Sequence, residues 1–141
     1  DIEGAIREAH RTLKSGGRLV VGDMHFDSFI WFSDHPDRMQ RMKESWDDHL
    51  AERCVPAILP GILRDGGFVV DDVRPFTFCD DLLKPDGLAR MMMVLMQRYA
   101  IEHDHLPEEE AKAWFDEQLA LADEGRFFFS LTHFIVSARK I

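Results

Sequence analysis

The chain has 141 residues, 45% of them hydrophobic and 30% charged, which suits one domain with a real core and argues against disorder. Seventeen basic residues against twenty-six acidic ones leave a net charge of −9. That balance excludes the clustered cationic surface on which nucleic acid binds. The longest strongly apolar run, Met91 to Met96, is far too short to span a bilayer, and no charged-then-apolar leader opens the chain. Cys54 and Cys79 form no C-x-x-C pair, so two reduced thiols in a cytoplasmic protein are expected.

Taken in chain order, Ile2, Ile6, Ala9 and Leu13 recur at helical spacing, and Ser15-Gly16-Gly17 ends that helix. With no initiator Met, and a helix beginning at once, the chain is expected to be a fragment or one part of a split protein. Leu19-Val20-Val21 is a short β-branched run and predicts a buried strand. Met24 to Pro36 shows no steady period and is expected to be a loop, crowded with Phe26, Phe29 and Trp31. Met39, Met42, Trp46 and Leu50 mark a second helix. Val55, Ile58, Leu59, Ile62 and Leu63 mark a third, ended by Gly66-Gly67.

Phe68 to Phe78 reads as a second strand, broken or bent at Pro75. A helix from about Asp86 to Ile101 follows. Another opens at Pro107, with Glu108, Glu109 and Glu110 in its first turn, where acids favour the positive end of the helix dipole. Phe127 to Ala138 is the last strand, apolar on both faces. Buried strands alternating with helices predict an α/β sheet in a single domain over 1–141.

Three segments carry a resemblance. The run from Ala5 to Val21, AIREAHRTLKSGGRLVV, resembles the "R-x-L-K-P-G-G-x-L-x-V" segment of class I (Rossmann-like) S-adenosylmethionine-dependent methyltransferases, with Ser15 in place of the proline. Ile62 to Phe68, ILRDGGF, is similar to the entry to that family's sixth strand. Gly125 to Lys140 is similar to its seventh. The resemblance covers nearly the whole chain and implies the C-terminal part of a seven-stranded sheet. Strands five and six would flank an antiparallel seventh, with residues 82–124 a helical insertion or lid before the last strand.

The implied function is methyl transfer from S-adenosyl-L-methionine to an O, N or C atom of a small-molecule acceptor. The family's G-x-G-x-G cofactor turn is absent, since Gly16-Gly17 and Gly66-Gly67 are both helix ends. This chain would therefore supply the acceptor side, and an upstream segment or partner chain the cofactor side. Two alternatives stand beside it: a non-catalytic binding or assembly subunit derived from a methyltransferase, and a cofactor-independent, cyclase-like enzyme.

At the end of the implied fifth strand, His25 is the expected general base, with Asp23 fixing its tautomer; both are equally readable as loop residues facing water. Phe26, Trp31, Phe76, Phe127 and Phe128, with Phe29 and Phe78, are expected either to form an aromatic acceptor pocket or to pack the core. Arg126 suits an anionic acceptor or a surface ion pair. Met91, Met92, Met93 and Met96 fit a helix buried on two sides or a pliable binding surface. His103 and His105 do not share a helical face, and no metal site is expected. Unpaired strand edges predict self-association, as a homodimer or an aggregate.

Overall fold

The computed structural model describes residues 1–141. It is an α/β fold of five helices and a three-stranded antiparallel sheet. In chain order the elements are α1 (Ile2–Thr12), β1 (Arg18–Trp31), α2 (Pro36–Asp47), α3 (Val55–Asp65), β2 (Phe68–Asp80), α4 (Leu88–Glu102), α5 (Glu108–Asp123) and β3 (Phe129–Lys140). The strand order is β1-β3-β2. Lys140 N–H donates to Gly17 O at 2.9 Å and Phe32 N–H to Phe128 O at 2.9 Å, so β3 runs antiparallel to β1. The bond from Ile141 N–H to Gly67 O (3.1 Å) and the Thr77–Thr132 hydroxyl pair (3.1 Å) set the same sense against β2. None of the helices is long and apolar enough to cross a membrane.

The chain forms two compact units. The first comprises Asp1–Ser28, Arg53–Thr77 and Thr132–Ile141, and the second Phe29–Glu52 and Phe78–Leu131. Each strand contributes residues to both. The region 82–124 contributes α4 and α5 to the second unit, where α2 packs against both of them.

In the first unit, α1 and α3 pack together, and their apolar stripes cover one face of the strands. Ile6, Leu59, Leu63, Phe68, Val136 and Ala138 form the buried cluster, with Leu19, Val21 and Val70 against it. Alternation sends the intervening residues to the opposite face. There Val20 (58%), Val69 (46%), Val73 (40%) and Ile135 (42%) are exposed. The sheet is thus covered on one side in this unit, although Leu19-Val20-Val21 and the last strand read as buried on both. An apolar run cannot distinguish a strand buried twice from an edge strand carrying valine on its open face.

α1 opens with Asp1 accepting from Gly4 N–H at 2.9 Å and closes into Gly16, whose φ of +74° a β-carbon would strain. Lys140 completes that end. Its ammonium donates to the carbonyls of His10 (2.6 Å) and Leu13 (2.9 Å), filling acceptors that the helix leaves open.

The second unit is built on aromatic rings and methionines. Trp31 meets Phe129 at 5.0 Å, Trp114 at 5.4 Å and Phe127 at 6.2 Å between ring centroids, all edge-to-face. Met39, Met42, Met92, Met93 and Met96 are buried around the α2–α4 contact, while Met91 stays exposed. Buried Gln118 accepts from Trp31 Nε1–H at 2.8 Å and donates to Phe32 O at 3.4 Å.

Two expectations are corrected. Met24 to Pro36 is not a loop, because β1 continues through it to Trp31 and α2 begins at Pro36. The period of two was there in Phe29 and Trp31, both buried, with Ile30 exposed between them, but polar neighbours masked it. β2 passes through Pro75 unbroken, as proline's fixed φ tolerates an extended chain on an outer strand. Substituting Gln118→Ala strands the buried indole N–H, so a loss of about 1–3 kcal/mol is expected in urea unfolding. The double variant Gln118→Met, Trp31→Phe, which removes both polar partners, is expected to recover part of it.

Candidate functional site

Unit 1 brings together three side chains that the sequence keeps apart. His25 and Asp27 lie two residues apart on β1 and therefore project to one side. Between them, Phe26 N–H donates to Arg53 O at 3.0 Å, which draws the segment before α3 onto the strand. The next residue, Cys54, is the N-cap of α3, and its thiol donates to Asp27 Oδ2 at 3.0 Å. One ligating atom from each of His25, Asp27 and Cys54 lies within 4.8 Å of the others.

Arg53 also reaches Asp27, with Nη2 at 2.8 Å from Oδ1. The Cys54 hydrogen bond, with the positive charge of Arg53, holds the Asp27 carboxyl below its ordinary range. The same bond, burial and the negative charge of Asp27 push the Cys54 thiol up. His25 is half-buried, and its Nδ1 is buried with no hydrogen-bond partner. Its ring meets Phe134 edge-on at 5.9 Å. Ser28 braces the strand there, donating to His25 O at 2.6 Å and accepting from Thr132 N–H at 3.0 Å.

Asp23 Oδ1 accepts from Met24 N–H at 2.7 Å, and Asp27 is the carboxylate grouped with His25 and Cys54. Phe26 is half-buried and Phe76 is 57% exposed, both in unit 1.

Trp31, Arg126, Phe127 and Phe128 lie in unit 2. Trp31 and Phe127 are core residues at 6% and 3% exposure. An open groove of about 430 Å³ runs along Ile30, Trp31, Phe32, Met39, Lys43 and Phe128. That volume lies in the range of small-molecule sites. Lys43 Nζ sits 5.2 Å from the Phe29 ring centroid and donates to Phe29 O at 2.7 Å.

Arg126 is held by two acids. It bonds Asp34 through both terminal nitrogens (2.9 and 2.5 Å) and Glu124 at 3.0 Å, and those bonds raise its pKa. Its guanidinium lies 5.6 Å from the Phe32 ring centroid. His103 stacks on Tyr99 at 3.9 Å with Nδ1 against Tyr99 O, and His105 Nδ1 pairs with Ser45 Oγ at 2.9 Å.

The cofactor that the resemblance implies does not fit the residues of this chain. A β-carbon at Gly4, Gly17, Gly22, Gly66, Gly67 or Gly87 would meet the chain's own atoms, and one at Gly16, Gly61 or Gly125 would meet nothing. No G-x-G-x-G run is present among them. Neither cysteine is in a disulfide.

No family model matches the chain. It is similar to an uncharacterized 37.1 kDa protein in transposon TN4556 of Streptomyces fradiae, 29% identical over 143 residues. The similarity covers 96% of this chain and 38% of that protein, so the chain spans well under half the length of its relative.

Next to the groove, Glu117 holds the start of α2 in place. It accepts from Ser33 Oγ (2.6 Å), Asp34 N–H (2.8 Å) and Arg38 Nη2 (2.7 Å). Burial alone would lift its pKa, but those three donors and the Arg38 charge hold it below the ordinary value. A depressed carboxyl stabilises the fold above its unfolded pKa, about 4.3, and that stability is lost as pH falls through the folded value. Urea midpoints are expected to drop as pH is lowered from 5 to about 3. Glu117→Gln is expected to flatten that slope, and Glu117→Ala to cost about 3 kcal/mol at neutral pH by leaving Arg38 unpaired.

Proposed function

We propose that this chain supplies the acceptor side of a class I methyltransferase that moves a methyl group from S-adenosylmethionine to a small molecule. The observation that carries the reading is the strand order β1-β3-β2, in which the last strand lies antiparallel between two that are parallel to each other. In this reading β1, β2 and β3 are strands five, six and seven of the family's sheet, and α4 and α5 are the insertion before the last. The glycine-rich turn that holds the cofactor comes from outside this chain.

The aromatic groove of unit 2 is the acceptor site in this reading. Phe32 and Phe128, exposed at 40% and 39%, suit a flat apolar body, and Lys43 an acidic substituent on it. Methyl transfer is an in-line displacement in which orientation supplies much of the acceleration, so holding the acceptor is the groove's task. The reading does not require a general base.

Calorimetric titration with S-adenosylhomocysteine tests it. The isolated chain is expected to give no saturable heat, and the whole protein of which it forms the acceptor side to bind saturably. Saturable binding by the isolated chain, or none by the whole protein, would overturn the assignment.

The open face of unit 1, with Val20, Val69, Val73 and Ile135, favours a second reading as an assembly subunit. Sedimentation of the chain at micromolar concentration distinguishes it: self-association that Val69→Lys abolishes supports this reading, and a monomer at all concentrations removes it.

A further inference from the structure

We infer that His25, Asp27 and Cys54 form a binding site for a zinc-class divalent ion with an open coordination position. The inference stands apart from the methyltransferase reading and rests on the arrangement in unit 1 alone.

Imidazole, carboxylate and thiolate are the three donor types that zinc takes from proteins, and three protein ligands with a fourth position left to solvent is the arrangement of its reactive sites. A set containing sulfur and nitrogen selects zinc and similar borderline ions over magnesium or calcium, which require oxygen donors. The three ligating atoms already converge within 4.8 Å, so small side-chain rotations bring them around one ion. The scaffold is set by backbone: two positions of one strand and the N-cap of a helix, tied by the Phe26–Arg53 hydrogen bond. Asp27 is exposed and the other two are half-buried, so an ion reaches the site from solvent.

A further feature fits a cation here. His25 Nδ1 is buried and lacks a hydrogen-bond partner, an unsatisfied polar atom beside the cluster. Binding exchanges the thiol proton of Cys54 for the ion and releases that proton to solvent.

One group competes. The Arg53 guanidinium holds Asp27 Oδ1 at 2.8 Å, and its positive charge opposes a second cation on the same carboxylate. Removing its charge should therefore tighten binding. An ion bound at this site also withdraws His25 from acid–base chemistry.

Cobalt(II), added to tag-free protein, is the probe. One equivalent per chain is expected to bind, with a near-ultraviolet thiolate-to-cobalt charge-transfer band that zinc abolishes by displacement. The band is expected to vanish in Cys54→Ser and to persist in Cys79→Ser. His25→Gln should weaken binding by at least the roughly 10- to 100-fold that follows disturbance of a partner outside the ligand set. Arg53→Gln, which keeps every ligand and the backbone bond, should bind more tightly. No charge-transfer band in the unaltered protein, a band that survives Cys54→Ser, or an affinity indifferent to Arg53→Gln would each overturn the assignment.

Discussion

The whole sheet depends on β3, the one strand with hydrogen-bonded neighbours on both sides. β1 and β2 do not touch one another, and each finds its ladder only along a different edge of β3. The hydrogen bonds at its C-terminal end show how much converges there. Lys140 binds the start of β1 through its backbone and the end of α1 through its ammonium, and Ile141 binds the start of β2. The helices then follow from which faces the strands leave apolar. In unit 1 a single layer, α1 and α3, covers one face, and valines and an isoleucine lie open on the other.

The two units solve the problem of burial with different materials. Unit 1 uses branched aliphatics at alternating strand positions against two helical stripes, and the polar residues of β1 are left at its margin. Unit 2 uses rings and thioethers. Trp31 is buried among Phe29, Trp114, Phe127 and Phe129, and its one polar atom is satisfied by Gln118. A buried amide on the covered face of α5 looks costly in isolation, yet here it matches the indole donor. Half-buried Glu117 follows the same rule: its charge leaves water where Ser33, Asp34 and Arg38 all donate to it.

How much of this was legible in the sequence divides along the range of the interactions. Helix limits were legible because caps, glycines and apolar spacing are local; α5, for instance, starts beside Pro107 as its acidic first turn indicates. The extent of β1 was not, because His25, Asp27 and Ser28 interrupt the apolar alternation with groups whose partners lie elsewhere in the chain. The His25–Asp27–Cys54 cluster was invisible for the same reason. Cys54 stands 27 residues from Asp27, without any ligand spacing to mark it, and only the Phe26–Arg53 bond closes the gap. Asp23 and Asp27 both stand two residues from His25 on β1, and only the contacts of Cys54 and Arg53 from across the fold mark Asp27. The aromatic residues read as a single group fall into separate places, with Phe29, Trp31 and Phe127 sealed in a core.

The placement of β3 has a consequence for how the chain comes to be folded. The hydrogen bond from Thr132 to Ser28 joins residues 104 apart, and that from Lys140 to His10 joins residues 130 apart. Among the three strands of this chain, β1 and β2 are made before β3, and neither can pair with the other until the strand that separates them follows. Until then, two long strands with valine-rich sides wait with bare edges, the state in which strands pair with the wrong neighbour. Vulnerability to misassembly is therefore concentrated in the interval before β3 leaves the ribosome, when β1 and β2 exist without the strand that joins them.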